Sequence, residues 1–159
     1  MTDITTGRDI RTTDAHQPAA YNSDDTLITN IVASTIAWVT GSPEIGVFFI
    51  APLSGRVRIT TGGGMRDNGV SPNIERVFIV PQIFEEDSSG TEILAPSSEK
   101  GIGSAAENPE FQYQSRVVMQ EGLTPGRRYY TRIMYAVGVG TDPDTADIAS
   151  RDLTVIPMP

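Results

Sequence analysis

"FFIAPLSGRVRITTGGG", residues 48–64, is an apolar run that stops at a proline, turns at a glycine, alternates, and then enters three glycines. In "GRVRITT" the side chains of Val57 and Ile59 fall on one side and Arg56, Arg58 and Thr60 on the other, the period-two pattern of a half-buried strand. Pro52 and Gly55 bracket a tight turn with Leu53 and Ser54 inside it. The triple glycine Gly62–Gly64 is expected to release the chain at the far end of that strand, as a mobile loop or a subunit contact, because glycine permits positive φ and close approach of a neighbouring chain. Punctuation of this kind passes a chain between the strands of a β-sandwich and needs no substrate to explain it.

The same signals recur along the chain. "LITNIVASTIAWV" is dense in β-favouring residues, and its helix-like spacing of Ile28, Ile31, Val32 and Ile36 is outweighed by the flanking Gly41 and Pro43. "GVFFIAP", "ERVFIVPQIFEE", "TEILAP", "FQYQSRVVMQEG", "RRYYTRIMYAVGVG" and "RDLTVIPMP" follow, separated by Gly, Pro, Asn, Asp and Ser. Pro81 removes one ladder donor, which places an edge or a bulge at that point. About eight strands and no obligatory helix predict an all-β fold, a jelly-roll-like antiparallel β-sandwich over residues 27–159. Residues 1–26 are rich in Thr and Asp with no strand or helix period, and read as an extended N-terminal arm. Its partner-binding candidates are Ile4, Arg8, Ile10, Arg11 and Tyr21.

Composition narrows the function. The 159 residues suit one domain with an appended arm and contain no cysteine, which removes thiol nucleophiles, thiolate-bound metals and disulfides. A net charge of −8 argues against a nucleic-acid partner. Eleven of the twelve basic residues are arginine, a bias that fits a docking protein and equally a GC-rich genome. "MTDITTGRDIRTTD" lacks the pattern of a signal peptide, and no apolar run approaches the ~18 residues of a membrane span, so no membrane partner is expected.

No constellation demands catalysis. The single histidine, His16, lies in the polar arm and is poorly placed to activate a hydroxyl. Glu85, Glu86 and Asp87 in "IFEEDSSG" read as a charged hairpin tip rather than carboxylates facing across a cleft. Asp142, Asp144 and Asp147 in "TDPDTAD" form a weak calcium candidate, since the EF-hand spacing fails after the second aspartate and the glycine is absent. No other metal site, no cofactor and no enzymatic activity are expected.

"FFIAPLSGRVRIT" resembles the segment of complement C1q and tumour-necrosis-factor jelly rolls in which an apolar strand ends at an Ala-Pro and a turn glycine precedes the next strand. The order "APLSGRVRITTGGG … RVFIVPQIFE … GLTPGRRYYTRIMYAVGVGT … RDLTVIPMP" is similar to small jelly-roll proteins of tailed phages with high-GC hosts. That resemblance implies a virion structural protein assembled in the host cytoplasm. It further implies a homotrimer that decorates the capsid or forms a head fibre, with the major capsid protein or other virion proteins as partners. "LTPGRRYYTRIMYAVGVG" also resembles the corner of fibronectin type III domains, where Tyr129 or Tyr130 would brace the turn. The alternative function is a tail-associated receptor- or carbohydrate-binding domain, for which "RRYY" and Trp38 supply the aromatic candidates.

Overall fold

The computed structural model describes residues 17–33, 37–67, 76–104, 109–138 and 144–159. They form ten strands: β1 (Ala20–Asp24), β2 (Ile28–Ala33), β3 (Gly46–Ile50), β4 (Val57–Asp67), β5 (Arg76–Glu85), β6 (Glu92–Leu94), β7 (Ile102–Gly103), β8 (Gln112–Gln120), β9 (Arg128–Gly138) and β10 (Asp144–Pro157). One 3-10 turn spans Ser98–Lys100, and among the described residues there is no α-helix.

All pairings are antiparallel, in two sheets. One runs β1–β10–β4–β8, with β2 also on β10; the other runs β3–β9–β5–β6, with β7 also on β5. From β2 to β5, and again from β7 to β10, each connection crosses from one sheet to the other. That alternation is the jelly-roll order. The core lies between the sheets, where Val57, Ile59 and Met65 of β4 meet Val77, Ile79 and Ile83 of β5, Ile133, Tyr135 and Val137 of β9, and Ile148, Leu153 and Val155 of β10.

The two turns expected at one end interlock. Gly55 donates to the Pro52 carbonyl at 2.9 Å and adopts φ +66°, so Leu53 and Ser54 form the tip. A side chain at Gly55 would meet the Leu123 carbonyl oxygen at 2.5 Å, because the β8–β9 connection packs directly on this turn. In that connection the Thr124 N–H donates to the Tyr129 hydroxyl at 2.9 Å. Tyr129 therefore braces the corner as the fibronectin-like motif implies, within a different strand order.

Pro81 sits where β5 is locally an edge. Ile133 of β9 pairs with it on one side, and on the other it falls between the β7 partners Phe78–Ile79 and the β6 partners Ile83–Phe84.

Two expectations are corrected. Gly62–Gly64 do not release the chain: β4 runs through them to Asp67, paired with β8 on one side and β10 on the other. The backbone ladder holds this segment straight where side chains give no strand signal. Within the polar segment, Ala20–Asp24 also do not stay outside the sheets, since they pair residue for residue with Arg151–Val155. Besides this ladder, an ionic contact ties the strand in place. Arg151 is fully buried between the sheets, and its guanidinium donates to the Asp24 carboxylate and to the Pro43 carbonyl. A buried cation requires such partners. Partial burial raises the Asp24 pKa, but hydrogen bonds from Thr26 and Arg151 outweigh it and hold the carboxyl below its ordinary range. The arm candidates Ile4, Arg8, Ile10 and Arg11 lie outside the described residues, as does His16.

Candidate binding surfaces

The outer face of the β3–β9–β5 sheet is furnished with aromatic rings and guanidinium groups. Phe48 and Tyr130 are register partners whose ring centroids stand 4.8 Å apart. Arg128 lies over the Phe48 ring at 5.1 Å, and Arg132 lies over Phe84 at 5.1 Å. Arg132 also donates to Gln82 Oε1 at 2.8 Å and to Glu44 Oε2 at 3.0 Å. Glu44 accepts a second hydrogen bond from the Tyr130 hydroxyl. Burial and that carboxylate both push the Tyr130 pKa upward, so the phenol remains a donor. Gly46 makes the arrangement possible, because a Cβ there would sit 2.0 Å from the Tyr130 hydroxyl.

Period two directs Phe48 and Ile50 of the opening stretch outward, and Leu53 projects from the turn beyond them. Phe48 is 52%, Ile50 41% and Leu53 59% exposed. Beside them, Gln17–Ala20 and Phe48–Ile50 line a cleft of about 400 Å³, where the chain enters the sandwich from residues 1–16.

The outer face of the β10–β4–β8 sheet has the opposite construction. Its middle carries no side chain at Gly62, whose backbone is buried between its register partners Ser115 and Asp152. Ring atoms of Tyr113 would lie 2.5–2.9 Å from a Cβ at Gly64, so the ring rests on that glycine while the residue stays 63% exposed. Across from it the pairing of β10 with β4 shifts between Ala149 and Asp152, and Ser150 within this bulge adopts φ +47°. Such bulges redirect side chains and recur beside functional sites. The result is a groove of about 380 Å³ lined by Thr60, Gly62, Tyr113, Ser115, Ser150 and Asp152, among others.

The aspartates of the weak calcium candidate have separate placements. Asp142 lies outside the described residues, and Asp144 pairs with Ala33 at the start of β10. Asp147 is fully buried; Arg66 donates to its Oδ2 through Nε at 2.8 Å and a terminal nitrogen at 2.6 Å, and the Asn30 N–H donates to Oδ1 at 3.1 Å. Both of its oxygens are thus engaged in tying β10 to β4 and β2. Glu85, Glu86 and Asp87 stand at the β5–β6 hairpin, where Glu85 pairs with Arg127 at 2.7 Å and Asp87 accepts from Ser89.

Of the aromatic candidates, Trp38 packs edge-on against Phe78 at 6.4 Å and Tyr129 is buried at its corner. Tyr130 is half-buried on the first face. Tyr21 is exposed on β1, and its hydroxyl donates to Asp152 at 3.2 Å, which brings one arm residue to the rim of the groove. Tyr113, the exposed ring beside that groove, alternates with Gln112 and Gln114 along β8, and the glycine beneath it lies on another strand, which no local sequence signal reveals.

No family model matches this chain, and no curated protein matches it. Two solved structures bear a distant likeness. One is the structure of infectious bursal disease virus, Gx strain, at 12% identity and TM-score 0.49, with 88% of this chain covered and 32% of that one. The other is the enzymatically active domain of bacteriophage CBA120 tailspike protein 4, at 11% identity and TM-score 0.39, with 90% of this chain covered and 20% of that one. The chain therefore spans about a third and a fifth of the lengths it matches. Among the described residues no helix is long and apolar enough to cross a membrane.

Proposed function

We propose that this chain is a non-catalytic structural subunit of a tailed-phage virion, a jelly-roll protein that forms a homotrimer and seats on the capsid as a decoration or head-fibre component. The observation that carries the assembly reading is the outward set Phe48, Ile50 and Leu53, flanked by Tyr130 and Arg128. Interfaces concentrate their binding free energy in aromatic and arginine side chains of this type. Covering the apolar members contributes roughly 25 cal/mol per Å² removed from water. The phage assignment draws on the sequence resemblance over residues 27–159, and the jelly-roll strand order agrees with it.

Three copies around an axis would present three entry points for residues 1–16, each beside a Phe48 cleft. Linked contacts of this kind add affinity through effective concentration. The test is a phage from which the gene has been deleted. Its particles should lack this one protein and lose infectivity sooner on heating than the parent. Particles of unchanged composition and heat resistance would refute the virion assignment.

A further inference from the structure

The groove on the β10–β4–β8 sheet has no part in the assembly reading, and its chemistry is different. We infer that it is a binding site for a neutral hexopyranose residue of a glycan, with Tyr113 as the stacking platform and Asp152 as the principal hydroxyl acceptor. This inference stands independently of the virion assignment.

The geometry supplies each element that a sugar requires. A pyranose ring has one face lined with C–H groups and a rim of hydroxyls that both donate and accept. An aromatic ring offers the partner for the first, as an apolar face of fixed orientation. Tyr113 is held by its seat on Gly64 and remains 63% exposed, so a face is left for a ligand at little ordering cost. Asp152 provides the second element. An ionised carboxylate has about four acceptor positions, and the Tyr21 hydroxyl uses one oxygen at 3.2 Å while fixing the group in place. Thr60 and Ser115 add hydroxyls on the same side of the sheet, as the alternation of β4 and β8 requires.

The floor explains why these groups can act on one ligand. At Gly62 the nearest atoms to a built Cβ are Ser115 Cβ at 3.3 Å, a backbone oxygen at 3.4 Å and Asp152 Cβ at 3.7 Å, so even a methyl group would fit only with a slight shift of Ser115. Glycine leaves the floor between Ser115 and Asp152 without a side chain of its own. A volume of about 380 Å³ lies within the range of roughly 300–1,000 Å³ common to small-ligand sites. Charge selects the sugar class. The carboxylate of Asp152 and the net charge of −8 disfavour sialic and uronic acids, which leaves uncharged hexoses and N-acetylhexosamines.

The direct experiment is saturation-transfer NMR on the full chain with methyl glycosides of glucose, galactose and mannose, and with N,N′-diacetylchitobiose. An array of neutral and anionic glycans widens the search. At least one neutral probe should bind with millimolar affinity. Tyr113→Ala should weaken it about tenfold and Tyr113→Phe by less than about twofold, since the ring face is retained. Gly62→Leu fills the groove from its floor and should abolish binding. Ile93→Ala, exposed on the opposite sheet, should bind as the parent does. Unchanged thermal midpoints for the Tyr113 variants establish that any loss is local. Binding to no neutral glycan, binding to anionic glycans alone, or binding that survives both Tyr113→Ala and Gly62→Leu would each overturn the inference.

Discussion

The two outer faces of this sandwich are built in opposite ways. On the β3–β9–β5 face, side chains cover the sheet: Phe48 packs at a tilt against Tyr130, Arg128 lies over Phe48, and Glu44 gathers Tyr130 and Arg132. On the β10–β4–β8 face, side chains are missing at the centre and stand around its edge. A covered face presents area and fixed charge, which suits another protein. A bare one presents depth, which suits a small ligand. The same glycine residue type serves both designs. Gly46 admits a hydroxyl from its own sheet, whereas Gly62 lets Ser115 and Asp152 close in from the neighbouring strands.

The comparison breaks first if the bare face is not held rigid. Asp147 anchors it at one end, bonded to Arg66 of β4 and Asn30 of β2. Asp147→Ala leaves a guanidinium and a backbone N–H without that acceptor. Because Arg66 is 35% exposed and can rehydrate, the expected loss is about 2–3 kcal/mol rather than the larger cost of a fully buried pair. Chemical denaturation of the variant measures it.

The next largest effect separates two adjacent glycines. Gly63 faces inward, and a Cβ there would meet Ile79 Cδ1 at 2.8 Å. Gly63→Val should therefore cost about 1–2 kcal/mol through overpacking, while Gly62→Ala should stay within about 0.5 kcal/mol of the parent. Equal losses at both positions in thermal melts would mean that the outward glycine is a packing requirement and not an opening.

Between the faces lies Tyr135, whose phenol burial pushes up to about 12. A tyrosine ionises with loss of a proton near pH 10 in the unfolded chain, so above that pH the unfolded state binds fewer protons than the folded one. The stability associated with Tyr135 is complete below pH 10 and falls progressively as the pH rises from 10 towards 12. Denaturant midpoints measured across that window should decline, and Tyr135→Phe should flatten the decline. A small effect on stability also belongs to the covered face. Phe48→Ala should cost less than about 1 kcal/mol, since half of the ring already meets solvent.

How much of this was legible in sequence follows from where the determinants lie. The Pro52–Gly55 turn, the alternation of Val57 and Ile59, and the local edge at Pro81 are local signals, and the structure retains each of them. Gly62–Gly64 were misread because a residue without Cβ carries no period, and only pairing with strands distant in sequence reveals them as β4. The polar stretch Ala20–Asp24 was read as arm for a related reason. Its place in the sheet depends on Arg151, about 130 residues away, which sequence gives no cause to bury. The candidate groove was invisible because it requires β4, β8 and β10 together. The outward Phe48 and Ile50 were closer to view, since period two in "VFFI" already assigns them to the side opposite Val47 and Phe49.

Sedimentation velocity on the purified chain, run beside Phe48→Glu, tests most directly whether the covered face exists for assembly. The parent should sediment as a trimer of the 17.1 kDa protomer, and Phe48→Glu, with its charge beside Glu44, should sediment as a monomer that keeps its β-sheet circular dichroism. A parent that remains monomeric at every concentration, or a trimer indifferent to Phe48→Glu, would contradict the account.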